Sequence, residues 1–230
     1  MALKTFLTTQ EIKALIDAAP TLRDKLIISF LADTGCRISE LLRLDTHHID
    51  FDRKLVLIPH LKRGVRKKCP GCHKSTGRRQ NFCPKCGINI SQVEAEGQEE
   101  RTRLLTVGQH VLGLCQEYIE KRGPKKTDRL IALSRQMVYL ILRRCAQKAG
   151  LDGKIILNPD TGRMHFIHPH VLRSSLAVDW LMMDDSGDSQ KALQSHLGHK
   201  RYETTSRYLK MTPSQIADVA DKVRRHRFGD

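Results

Sequence analysis

Cys69-Pro70-Gly71-Cys72 and Cys83-Pro84-Lys85-Cys86 are two CxxC pairs with ten residues between them, and no other feature constrains the fold of this chain so tightly. Two such knuckles present four thiolates to one tetrahedral ion, and Zn²⁺ is the usual occupant in a cytosolic protein. Cys69, Cys72, Cys83 and Cys86 close the coordination sphere, so a single structural zinc is expected, with no position left for water. Two disulfides or a rubredoxin-type iron site are the alternatives, the former disfavoured by the expected reducing compartment. His73, beside the first pair, reads as a bystander.

The pairs lie between two short apolar runs, Lys54 to Pro59 and Thr102 to Val107, which look like the strands of one hairpin. More than forty residues separate the runs, too many for a hairpin loop, so something folded is inserted there. We place the inserted zinc ribbon at residues 66–90 of one domain spanning 1–230. From Lys62 to Cys86 there are nine Lys or Arg and no Asp or Glu, which outweighs the formal −2 of zinc with four thiolates. Arg63, Arg66, Lys67, Lys68, Arg78 and Arg79 are therefore expected to contact DNA phosphates.

The whole chain is basic as well. Forty Lys and Arg against 25 Asp and Glu give a formal charge of +15 in 230 residues, which suits a polyanion and makes nucleic acid the leading partner, ahead of an acidic membrane surface. No apolar run approaches the ~20 residues needed to span a bilayer, and the opening residues do not lead into a secretion signal. A cytoplasmic, DNA-associated protein without a membrane partner is the expectation. Cys36, Cys115 and Cys145 fall in apolar helical patterns and read as core residues.

Outside the insertion the pattern is mainly helical. Thr8 with Glu11 forms a capping box, Thr21 with Asp24 caps a second helix that Gly35 ends, and Ser39 to Leu42 begins a third. Arg37 then falls at a helix-loop-helix junction, a rigid base for a phosphate ligand. Val111 to Ile119 and Met137 to Cys145 each carry an apolar face, the latter including Leu140. Residues 151–166 read as loop. Helices follow from about His168 to Met183, from Ser189 to His196, and from Ser214 to Arg225 after Thr212-Pro213. The fold class is mainly α with a small antiparallel sheet.

A second constellation carries chemistry. Arg37, His170 and Arg173, then His199 with Tyr208 nine residues later, supply what attack on a phosphodiester requires. Charge spreads over the non-bridging oxygens in the transition state, and the forked, permanently charged guanidiniums of Arg37 and Arg173 can meet it. His170 precedes Arg173 by three residues, so both share one helical face. An imidazole exchanges protons near neutrality, so His170 is assigned to proton transfer and His199 to a hydrogen bond with a phosphate oxygen. Tyr208 is the nucleophile, its phenolate favoured by neighbouring cations. His165, His168 and His170 also raise a metal site, but no matching carboxylate or cysteine is near.

The strings Thr34-Gly35-Cys36-Arg37-Ile38-Ser39-Glu40-Leu41, His168-Pro169-His170-Val171-Leu172-Arg173, Leu193 to His199 and Glu203 to Tyr208 resemble, in order and spacing, the boxes of the tyrosine recombinase family. The resemblance covers the chain from about Leu7 to Tyr208 and departs at Ser174, where the family often has histidine. It implies site-specific cleavage and rejoining of DNA through a 3′-phosphotyrosyl intermediate, with no cofactor in the chemistry. It also implies a hairpin lysine as general acid, assigned to Lys62 with Lys67 and Lys68 as rivals, and a tetramer on double-stranded DNA that is monomeric or weakly associated when free. A type IB-like topoisomerase and a DNA-binding regulator with an idle site are the competing readings.

Overall fold

The computed structural model describes residues 6–59, 66–77, 79–94, 102–123, 128–152, 156–157, 164–184 and 186–198. Lys62, Arg63, Arg78, His199, Tyr208 and the helix expected from Ser214 to Arg225 lie outside these residues. The chain divides into two compact units, residues 59–103 and the remainder, so the separate unit is wider than the insertion expected at 66–90.

The larger unit is built around one apolar helix. After α1 (Thr9–Asp17), α2 (Leu22–Thr34) buries Leu26, Ile27, Ile28, Phe30 and Leu31 completely. A helix apolar on every side must be enclosed, and α2 packs against α1, α4 (Gln109–Arg122), α5 (Arg135–Lys148) and α6 (Pro169–Met183). Both expected caps form: Thr8 and Glu11 make a reciprocal box, and the Thr21 hydroxyl accepts from the Asp24 N–H at 3.1 Å. Gly35 ends α2 in the left-handed conformation, its N–H donating to the Leu31 carbonyl. The short α3 (Ile38–Leu41) follows at once.

A small sheet flanks these helices. β1 (Ile49–Asp50) pairs antiparallel with β2 (Leu55–Pro59), Ile49 opposite Val56, and β5 (Thr102–Thr106) lies on the other side of β2. The two expected strands are neighbours, and β1 is an addition that its two-residue length hides from periodicity. Val56, Ile58, Leu105 and Val107 join the helical core, as do Cys36, Cys115 and Cys145.

Two expectations need correction. The stretch read as loop contains a β-ladder, β6 (Ile156–Leu157) with β7 (Met164–His165), whose two-residue strands leave no readable alternation. On α5, Met137 and Leu140 are exposed, while Val138, Ile141, Leu142 and Cys145 are buried. Only part of that apolar face therefore packs inward. α6 ends at Met183, and α7 (Gly187–Leu197) starts earlier than expected because Ser186 caps it, accepting from the Ser189 N–H.

In the smaller unit β3 (Arg66–Lys68) pairs antiparallel with β4 (Ser75–Gly77), setting Lys67 against Thr76 on the inner face and leaving Arg66 and Lys68 exposed. The knuckles repeat one design. Cys69 N–H donates to Lys74 and His73 N–H to Cys69, while Cys83 N–H donates to Ile88 and Gly87 N–H to Cys83. His73 and Gly87 occupy matching positions with φ 53° and 71°. His73 thus serves the turn of its knuckle at the cost of a left-handed conformation that glycine tolerates better.

Gly35 provides a test of the packing. A Cβ there would lie 2.8 Å from Leu176 Cδ2 and 3.0 Å from Leu197 Cδ2, at a φ of +58°. Backbone strain and overpacking together predict that Gly35→Ala lowers unfolding free energy by about 2–4 kcal/mol in chemical denaturation. A loss under about 1 kcal/mol would contradict this packing.

Candidate active site

Arg37 sits between α2 and α3, in the extended conformation that begins a helix. Glu40, one turn later and only 1% exposed, holds it twice. The Arg37 N–H donates to Glu40 Oε2 at 2.8 Å and its Nη1 to Oε1 at 3.0 Å. A buried carboxylate thereby orients a guanidinium whose side chain remains 43% exposed. A glutamate three residues after a helix start is the sequence signal for this role of Glu40.

His170 and Arg173 occupy the first turns of α6, which His168 caps by accepting the His170 N–H at Nδ1, 3.2 Å away. His170 remains accessible at the surface yet sits in a recess dense with protein atoms. That burial, then the charges of Arg173 and Arg37, holds its imidazole below the ordinary histidine range. Both arginines contribute to that lowering. Such a shift favours the unprotonated ring.

Arg173 is 2% exposed, and its guanidinium bridges two chain segments. Nη1 donates to the Gly35 carbonyl at 2.6 Å and Nη2 to the Leu197 carbonyl at 2.7 Å. Gly35 leads directly to Arg37, and Leu197 precedes the segment that carries His199. Arg173 thus aligns the site as well as contributing charge. A second tie reinforces the junction: His196 lies 3.0 Å from the Thr34 carbonyl through Nε2, and its ring faces Trp180 at 5.2 Å. Trp180 Nε1 in turn donates to Ser189 Oγ at 3.0 Å. Single histidines and tryptophans carry no sequence signal for such roles.

His165, His168 and His170 form a row of rings, with centroid separations of 5.7 Å and 6.4 Å, and Tyr139 stacks on His168 at 6.4 Å. These rings do not converge on one point as metal ligands would. Ser174 donates to the His170 carbonyl at 3.0 Å, so in place of an imidazole it makes a bond within the helix.

The four cysteines do converge. Their sulfurs lie within 4.8 Å of one another, with Cys69 to Cys86 at 3.4 Å and Cys72 to Cys83 at 3.5 Å. A tetrahedron of sulfurs about 2.3 Å from a zinc ion has edges of about 3.8 Å, so the set fits such an ion. Burial raises the Cys83 thiol, but the Lys85 and Cys86 N–H groups outweigh it and bring it down to about 6. At Cys86 an N–H bond from Ile88 lowers the value, yet the neighbouring cysteines and burial push it up to about 12. Four sulfurs this close could hold one metal ion. Asp45, His47 and His48 also cluster, but Asp45 pairs with Arg129 Nε at 3.4 Å and its N–H donates to His48 Nδ1, so local bonds account for that group.

Among the residues expected to meet DNA, Arg66, Lys68 and Arg79 are exposed. Lys67 is not. Its ammonium lies inside the small unit and donates to the Ile90 carbonyl at 2.9 Å and the Ser91 carbonyl at 3.1 Å, because strand alternation turns it inward. It is a structural lysine, neither a phosphate contact nor a rival general acid.

His168 makes an acid-stability prediction. Burial, then the charges of His170 and His165, lowers its pKa to about 4. Between pH 6.5 and 4 the unfolded chain binds a proton that the folded chain refuses, so stability present above 6.5 drains away as pH falls. His168→Asn keeps an oxygen acceptor at the cap and should remove on the order of 2 kcal/mol of this decline, read from denaturation curves across that range. An unaltered pH profile would refute the assignment.

The chain was compared with known proteins. Residues 5–76 and 85–215 match the phage integrase family. Tyrosine recombinase XerA of Thermococcus kodakarensis is 27% identical over 220 residues, an alignment covering 95% of this chain and 62% of that protein. A crystal structure of XerA recombinase superposes with a TM-score of 0.63 at 21% identity, covering 97% of this chain and 66% of that one. A XerH site-specific recombinase in a post-cleavage complex with palindromic difH substrate gives 0.61 at 19% identity, with coverages of 95% and 53%. The chain thus spans about three fifths of the length of the curated relative. Among the described residues no helix is long and apolar enough to cross a membrane. A match across most of the sequence shows that this chain belongs to the phage integrase family.

Proposed function

We propose that the chain is the catalytic portion of a site-specific DNA recombinase acting inside the cell. The observation that carries this reading is the junction at which Arg173, one turn after His170 on α6, donates to the Gly35 carbonyl two residues before Arg37. In the proposed reaction the Tyr208 oxygen attacks phosphorus as the bond to the 5′ oxygen breaks. His170 takes the phenolic proton, Lys62 supplies one to the leaving oxygen, and Arg37, Arg173 and His199 bear the charge on the phosphorane. The 3′-phosphotyrosyl ester conserves the energy of the broken bond. The 5′ hydroxyl of another strand then displaces tyrosine without ATP or a catalytic metal.

Double-stranded DNA is the proposed substrate and a tetramer on DNA the working unit, monomeric or weakly associated when free. Arg63, Arg66, Lys68, Arg78 and Arg79 are proposed to meet phosphates. The relatives support this reading by name: XerA and XerH are recombinases, and XerH is seen with its substrate.

Incubation with a nicked substrate that releases the leaving strand should trap a covalent protein-DNA adduct. Tyr208→Phe should abolish it, and Arg37→Ala should slow it by about 10²–10³-fold. An adduct that survives in Tyr208→Phe would refute the nucleophile, and relaxation of supercoils by a single copy would favour a topoisomerase.

Cys69, Cys72, Cys83 and Cys86 are proposed to hold one structural Zn²⁺, supported by sulfur spacings that suit a tetrahedral ion. Elemental analysis should give one zinc per chain, and Cys69→Ser with Cys83→Ser should lose it and expose residues 66–94 to proteolysis. Zinc-free protein with that segment still protected would overturn the proposal.

A further inference from the structure

Phe82 is the only aromatic residue between 59 and 103, and it is 61% exposed. The small unit has few apolar groups, with Cys69, Cys83 and Ile90 at its centre and Cys72 and Val93 around them. Its one large ring nonetheless stays outside. The cause is local: Phe82 pairs with Asn89 in an antiparallel bridge next to Cys83, whose N–H donates to Ile88 at 2.8 Å. Successive side chains on such a ladder point to opposite faces, so turning Cys83 into the sulfur cluster turns Phe82 away from it. Ile88, also exposed, has a packing partner: it closes over Gly71, where a Cβ would lie 2.2 Å from its Cδ1. Phe82 has no comparable role in the knuckle.

The charge of the unit carrying this ring suits a polyanionic partner. Arg66, Lys68, Lys74, Arg79 and Lys85 are exposed on the same unit, and no Asp or Glu occurs from 59 to 93. Cations that follow a phosphate backbone, with an aromatic face for a base, are the elements of single-strand binding. An intact duplex hides its base faces. The proposed reaction exposes them, because the cleaved strand must leave its complement before its 5′ hydroxyl can attack elsewhere.

We propose that the cysteine-built unit captures an unpaired DNA segment, with Phe82 stacking on a base while the exposed Arg and Lys hold the phosphates. This rests on the recombinase reading and adds a ligand, single-stranded DNA, to a surface otherwise given only phosphate contacts.

The test uses the full zinc-loaded chain, a short single-stranded oligonucleotide and the matching duplex, with affinity measured over a range of salt. Phe82→Ala should weaken single-strand binding about 5- to 100-fold, leave duplex binding within about two-fold and preserve the salt slope, whereas Phe82→Trp should restore affinity. Arg79→Ala should weaken both and reduce the slope by about one phosphate contact. Equal single-strand affinity for Phe82→Ala and the parent chain would overturn the proposal. So would zinc loss in that variant, which would mark the ring as structural, or an equal loss of binding to polyglutamate, which would mark a general acidic-partner surface. A parent chain that forms the phosphotyrosyl adduct yet shows no dependence on Phe82 sinks this inference alone. Dependence on Phe82 without any adduct sinks the recombinase reading instead.

Discussion

The larger unit depends on one buried guanidinium. Arg173 stands on α6, yet its terminal nitrogens end on the carbonyls of Gly35 and Leu197, residues 138 and 24 positions away. A buried charge is tolerated only when hydrogen-bonded, and breaking such an arrangement costs several kcal/mol, so the bonds restrict how α2, α6 and α7 can meet. The left-handed Gly35 lets the chain turn close to Arg173, with its missing Cβ making room for Leu176 and Leu197. Arg37 then follows, held by Glu40. Each functional group is thus braced by a residue that itself has few places to go.

The same economy explains the electrostatics. Burial, then the charges of Arg173 and Arg37, lowers the His170 pKa, so the charges suited to a phosphate also favour the unprotonated imidazole. His168 supports it as cap and ring neighbour. His168, His170 and Arg173 lie at the start of α6, and Arg37 joins them from the junction of α2 and α3 in setting this field.

The small unit solves a different problem. With three buried apolar groups at its centre it has too little hydrophobic burial to balance the entropy of ordering its chain. The proposed zinc would answer that shortage, and the paired knuckles give each sulfur a defined approach. Strand alternation turns Lys67 and Cys83 inward and leaves Arg66, Lys68 and the Phe82 ring on the surface.

Much of this was legible without coordinates. The capping boxes at Thr8 and Thr21, the stop at Gly35, the two strands around an insertion and the cysteine spacing are local signals, since propensity, turn geometry and ligand spacing act over a few residues. The types and order of Arg37, His170 and Arg173 were legible for the same reason. Other features required the tertiary structure. Lys67 turned inward because of its register with Thr76, and β6 with β7 were too short to show alternation. Glu40 acquired a role only as it was buried against Arg37, and Arg173 became a brace only when Gly35 and Leu197 came within reach. The sequence by itself determined the chemical groups and the local elements that carry them. The tertiary structure decided which groups meet, because contacts between distant segments depend on how the faces of α2, α6 and α7 pack together.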